Sequence, residues 1–173
     1  MSRVLTITLV CLVLIGCGAS TATANLDRVD LDHLVLQPNG LPPNALNGTL
    51  TEANPVPIFG TDPKIAKAYT RLLLHNDQNV VGEIFVTLYY DAADARAKYD
   101  EGLRLSVQPF ADQFPIQSPS IGDQATLQRS ENSTALDFVR CHAYAVLNLE
   151  IPVETMLSYG KQLDNRLKEV ACP

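Results

Sequence analysis

The sequence predicts an α+β domain: an antiparallel sheet with helices packed on one face, built as two halves in which strands are followed by a helix. Three observations lead there. Val80, Gly82, Ile84, Val86, Leu88 and Tyr90 put apolar groups on one strand face, while Glu83 and Thr87 mark the other. Ala92, Ala95, Tyr99 and Leu103 then recur at helical spacing. The chain closes in the same way, with strands over residues 135–140 and 143–151 running into a helix striped by Met156, Gly160, Leu163, Leu167 and Val170. No sequence repeat relates the two halves.

Taken in order, the first element is not part of that domain. Arg3 opens a run over residues 4–15 that is apolar but for Thr6 and Thr8. About twelve residues are too few to cross roughly 30 Å of hydrocarbon as a helix, and they suit the apolar region of a secretory leader. The run ends in Leu14-Ile15-Gly16-Cys17. These four residues, placed behind a basic start, resemble the lipobox of bacterial lipoproteins. The resemblance implies that residues 1–16 are a signal peptide, removed together with Cys11, and that the thiol of Cys17 takes a diacylglyceryl group. Two or three acyl chains, each buried methylene contributing about 0.8 kcal/mol, hold a protein durably on a membrane. Ala22-Thr23-Ala24 offers a rival cleavage pattern that leaves a soluble protein starting at Asn25.

Residues 17–28 read as a lipidated, flexible tether, because the small polar stretch after Cys17 cannot bury apolar surface. A single domain occupies residues 29–173. Its opening is expected to be ordered but irregular, since Pro38-Asn39-Gly40 and Leu41-Pro42-Pro43 punctuate turns. Asp62-Pro63 predicts a short helix with Asp62 as N-cap and Pro63 at the first helical position. The Leu-dense stretch before Asn76-Asp77-Gln78-Asn79 and the alternating run after it predict a hairpin. Asp91 is the expected cap of a helix reaching about Leu105, with Asp94 in a capping-box-like position. The Pro- and Ser-containing segment over residues 108–120 is a connection. Ile121-Gly122-Asp123 turns the chain into a strand near residues 124–129, Glu131-Asn132-Ser133 is a further turn, and Pro152 starts the last helix.

Cys141 and Cys172 are predicted to form a disulfide on geometric grounds. A strand over residues 142–151 advances about 3.3 Å per residue, and a helix over residues 153–171 returns at about 1.5 Å per residue, so both cover roughly 30 Å. The helix therefore ends where the strand began. The alternative is two unpaired thiols, one in the core and one at a loose terminus. An exported compartment sustains the bond.

Function is less legible. With 13 basic and 19 acidic residues and a net charge of −6, the chain lacks the basic face that binds nucleic acid. His33, His75 and His142 are far apart and imply no metal site, and no cofactor is expected. Asp27, Asp30 and Asp32 lack the glycine and distal glutamate of a calcium loop, so a solvated acidic segment is expected. No nucleophile elbow, phosphate-binding loop or dinucleotide fingerprint is present. Arg140 and His142 at a hairpin are an anion-binding candidate, weighed against a turn whose long side chains simply face water. Tyr89, Tyr90, Tyr99, Tyr144 and Tyr159 are expected in or beside the core. Asn47-Gly48-Thr49 and Asn132-Ser133-Thr134 match the glycosylation pattern, which a bacterial lipoprotein leaves unused.

The lipobox, Leu41-Pro42-Pro43, Ile121-Gly122-Asp123-Gln124-Ala125 and the strand-then-helix ending together resemble uncharacterised bacterial surface lipoproteins that carry a small α+β domain. The resemblance implies a location on the extracytoplasmic side of the cell membrane, held there by the lipid anchor. The expected role is a non-catalytic domain that binds a protein partner or a small ligand. The alternatives are an envelope enzyme or accessory subunit with a dispersed site, and a structural envelope protein without a small ligand.

Overall fold

The computed structural model of this chain describes residues 25–35, 51–52, 62–74 and 80–172. The leader, Cys17, Ala22-Thr23-Ala24, Leu41-Pro42-Pro43 and the hairpin tip at residues 75–79 lie outside the described residues. The fold is α+β, as the sequence predicts. Among the described residues, seven strands form one antiparallel sheet in the order β1-β2-β3-β7-β6-β5-β4: β1 (Thr51–Glu52), β2 (Ile65–Leu74), β3 (Val80–Tyr89), β4 (Ile116–Gln117), β5 (Gln124–Arg129), β6 (Thr134–Arg140) and β7 (Ala143–Leu149). The helices among these residues are a single turn α1 (Leu31–Leu34), α2 (Ala92–Gly102) and α3 (Val153–Ala171). Each of the hairpins β2-β3 and β6-β7 is followed by a helix, and β3 pairs with β7 to join the halves at the centre.

The one-face expectation is corrected: α2 and α3 take opposite faces. Ala143, Ala145, Leu147 and Leu149 of β7 pack with Met156, Tyr159, Leu163 and Leu167 of α3 in one core cluster. Tyr144, the intervening residue, packs with Val139, Tyr89 and the α2 residues Ala95 and Tyr99 in another. The reason is visible in β7, where Ala143 to Leu147 is an unbroken apolar run. Alternation marks a strand with one wet face; an unbroken run marks one covered on both. Gly160 lets α3 approach closely, since a Cβ there would meet the buried Leu136 side chain.

The packed chain also begins earlier than residue 29. Leu26, placed in the tether by composition, is 2% exposed and shares the α3-side core with Leu31 and Val35. Leu26–Arg28 form one 3-10 turn, and Asp30 caps α1 by accepting from the N–H groups of Asp32 and His33. Lys67 Nζ donates to the Val29 carbonyl at 2.6 Å, and the Arg166 guanidinium of α3 donates to the His33 and Leu34 carbonyls. Short polar stretches thus dock where a few apolar side chains find a ready surface.

The acidic lead-in is not merely solvated. Arg71 of β2 is 0% exposed, and its Nη2 lies 2.8 Å from Asp32 Oδ1, which also accepts from the Tyr69 hydroxyl. The guanidinium carbon sits 5.4 Å from the centre of the Tyr69 ring. A buried arginine persists only when its charge is met in this way. Asp27 accepts from the Tyr90 hydroxyl at 2.7 Å.

Other departures from expectation come from turn chemistry. Asp62-Pro63 starts no helix; the Asp62 carboxylate accepts from Lys64 N–H and its carbonyl accepts from Ile65 N–H, a turn that launches β2. Asp and Pro favour the first two positions of such a turn as strongly as they favour a helix start. Asp91 does cap α2. The helix stops at Gly102 rather than Leu105, but the chain stays coiled through a π turn (Leu103–Val107) and a 3-10 turn (Gln108–Phe110).

Candidate functional site

The β6-β7 turn carries the residues singled out by the sequence. Arg140 and Ala143 pair, leaving Cys141 and His142 as the two turn residues. Cys141 adopts φ 49°, the positive region that suits the first residue of a tight hairpin. It is joined to Cys172 at disulfide distance, with a Cα separation of 5.3 Å. The strand-and-return geometry delivers the pair, and the His142 N–H also donates to the carbonyl of Ala171, the last residue of α3.

Arg140 does not face water, nor is it open to an anion. Its Nε and Nη2 donate to the two carboxylate oxygens of Asp164 at 2.6 and 2.7 Å, and its Nη1 donates to Asp123 at 2.8 Å. Asp123 also accepts from Cys141 N–H. Burial alone would raise the Asp164 carboxyl; the Arg140 guanidinium and the Gly122 N–H together hold it below the usual carboxylate range. His142 Nδ1 lies 3.1 Å from the Tyr89 carbonyl oxygen, so the ring is turned toward β3. This corner is a structural clamp joining three segments.

Gly122 is part of the clamp at φ 65°, and a Cβ there would collide with the Val139 carbonyl oxygen. Gly122→Ala is therefore expected to cost about 2 kcal/mol, from the left-handed backbone and the displaced strand together. A denaturant midpoint within error of wild type would contradict this.

A different place has the shape of a binding site. Between the turn that opens β2, the end of β3 and α2 lies a cleft of about 460 Å³ lined by Asp62, Lys64, Ile65, Tyr89, Asp94, Ala97, Lys98, Glu101 and Arg104. Such a volume takes a small molecule. Lys64 Nζ meets Asp94 at 2.8 Å and Lys98 Nζ meets Glu101 at 2.7 Å. These contacts hold the Lys64 ammonium above its usual range and the Glu101 carboxyl below its own. Tyr89 forms part of the wall. Burial, and after it the charges of Asp62, Asp94 and Glu101, pushes its phenol up to about 12. A second, smaller hollow of about 260 Å³ lies by Phe110, Phe114, Gln128 and Asn148.

No protein-family model, curated protein or solved structure matches this chain. Asp94, Ala97, Lys98 and Glu101 recur at helical spacing, a charged stripe that on sequence alone is simply the wet face of α2. Nothing in the sequence ties that stripe to Asp62 and Lys64; the antiparallel return of β2 along β3 does so. Among the described residues no group of His, Cys, Asp and Glu is placed to hold a metal ion, and no helix is long and apolar enough to cross a membrane. Of the tyrosines, Tyr89, Tyr99, Tyr144 and Tyr159 are buried as expected, whereas Tyr90 is 48% exposed beyond the end of β3.

One buried acid lies outside both places. Asp137 of β6 is 8% exposed on the α2 side, and burial pushes its carboxyl up to about 6. Its neighbours there are Thr126, paired across β5 and hydrogen-bonded to the Tyr99 hydroxyl of α2, and Val146 of β7. A raised folded-state pKa means that the folded chain holds its proton longer, so stability falls as pH rises from about 4 to about 6. Asp137→Asn should gain on the order of 2 kcal/mol at pH 7 and nothing at pH 4. Equal effects at the two pH values in denaturant titrations would contradict this.

Proposed function

We propose that this chain is an exported bacterial lipoprotein, held on the extracytoplasmic face of the cell membrane by lipid on Cys17, whose domain binds a small ligand or protein partner. The observation that carries the reading is the Cys141–Cys172 pair at disulfide distance, closing a loop with a sequence separation of 31. Such bonds persist in oxidising compartments outside the cytoplasm, which is where a leader ending in Leu14-Ile15-Gly16-Cys17 would send the chain. The binding half of the reading is supported by the cleft beside α2, whose size and convergent polar groups suit ligand capture. Docking of Leu26 into the core leaves only a short tether after Cys17, so the domain would sit close to the membrane surface.

The test is intact-mass and membrane-fraction analysis of the protein expressed in a bacterium, beside a Cys17→Ala variant. Wild type should carry acyl mass on an N-terminal Cys17 and sediment with membranes, and the variant should do neither. If both begin at Asn25 and remain soluble, the anchor is wrong and the protein is a freely diffusing secreted one.

A further inference from the structure

We propose that α2 is a pH-gated cover, closed on the sheet while the Asp137 carboxyl beneath it is protonated and lifting to let water reach that group once it is ionised. Neither the anchor nor a ligand is needed for this. Of the eleven residues of α2, Ala95 and Tyr99 are buried, whereas α3 buries seven. Those two share a small cluster with Tyr89, Val139 and Tyr144, and the main core on the other face of the sheet contains no residue of α2. The sheet and α3 therefore keep their core when α2 lifts. An element attached through so little apolar area opens at a lower free energy than the whole domain.

The face under α2 is polar where a permanent cover would meet apolar groups. Asp137 is 8% exposed and forms no hydrogen bond or ion pair among the described residues. Ala125 and Leu127 of β5 belong to the α3-side core, so Gln124 and Thr126, which alternate with them, face α2. Thr126 meets the Tyr99 hydroxyl, while the Gln124 side-chain oxygen is buried with no hydrogen-bond partner. Two unmet polar groups thus lie at one interface, and each favours a state in which water reaches it. The groups around Asp137 do not offset its charge. Tyr99 of α2 and Tyr144 of β7 lie in its field, and burial holds both phenols above their usual range, so they stay neutral in acidic and neutral solution. Tyr89 of β3, next to Tyr144, is raised likewise. Arg96 and Asp100, on either side of Tyr99, meet each other at 3.5 Å, and Glu101 meets Lys98. Closed, the Asp137 carboxyl holds its proton up to about pH 6; opened to water, it releases the proton near its ordinary value of about 4. The open fraction therefore rises with pH across that window. Because α2 supplies Asp94, Ala97, Lys98 and Glu101 to the cleft, the cleft is complete only in the closed state.

Hydrogen–deuterium exchange of the mature protein, kept in an uncharged detergent, tests this at pH 5 and pH 7, with rates corrected for the intrinsic pH dependence of amide exchange. Protection over residues 92–102 should be lower than over residues 153–171 at both pH values, and should fall about tenfold from pH 5 to pH 7. In Asp137→Asn, which keeps the shape of the side chain and cannot ionise, that fall should vanish. Tyr99→Phe removes the contact with Thr126 and should lower the protection of α2 at both pH values while preserving the tenfold fall. Exchange in α2 no faster than in α3, protection of α2 that is independent of pH, or a fall that persists in Asp137→Asn would each overturn the proposal.

Discussion

A Cys141→Ala/Cys172→Ala double variant is expected to lose about 3 kcal/mol of stability. The bond closes a loop with a sequence separation of 31 and so removes chain entropy from the unfolded ensemble. It also fastens the end of α3 to the β6-β7 turn, a junction otherwise secured by the hydrogen bond from His142 to Ala171. Amide exchange in the last turn of α3 should therefore accelerate more than exchange at its start. Replacing Cys141 by Gly instead of Ala in the same double variant should recover about 1 kcal/mol, since φ 49° is free to glycine and costly to other residues. A loss under about 1 kcal/mol in equilibrium denaturation would show that the fold does not lean on the bond.

Arg140→Gln is the second large effect, expected at about 3 kcal/mol at neutral pH. The substitution leaves Asp164, 8% exposed, without its bidentate partner, and breaks the link to Asp123. The pH dependence identifies the cause. In the wild type the Asp164 carboxyl is held low, so its contribution is present above about pH 4 and is lost as pH falls further. Without Arg140, burial dominates and raises the same carboxyl, so the deficit should be largest near pH 7 and shrink toward pH 4. A deficit independent of pH would mean that lost packing, not the stranded carboxylate, is responsible.

Much of this architecture is legible in residue order. Val80 through Leu88 alternates as a strand must, Asp91 caps the helix it precedes, and the lengths of β7 and α3 bring Cys172 back to Cys141. The failures share one cause: tertiary neighbours that local patterns do not encode. Asp62-Pro63 reads as a helix start because helix caps and β-turns recruit the same residues for the same hydrogen bonds. The placement of α2 opposite α3 is signalled by the unbroken apolar run of β7, which local periodicity identifies only as a strand. Asp32 reads as a solvated charge because its partner, Arg71, lies far along the chain in β2 and is wholly buried. The cleft is least legible of all. Lys98 and Glu101 satisfy each other on one helix, and only the fold brings Asp62, Lys64 and Tyr89 beside them.

The pairing of β3 with β7 also sets the order in which this chain can acquire structure. The β2-β3 hairpin is local, and so is the β5-β6 pair, but the seam that unites them waits for residues 143–149. Until that strand is present, β3 and β6 each offer an open backbone edge, and α2 has no Tyr144 to rest against. Long-range pairing of this kind is slow because loop closure precedes its reward. A chain cut before residue 143 should therefore be aggregation-prone rather than a smaller stable domain. A chain delivered N-terminus first cannot finish its sheet until its final third has emerged.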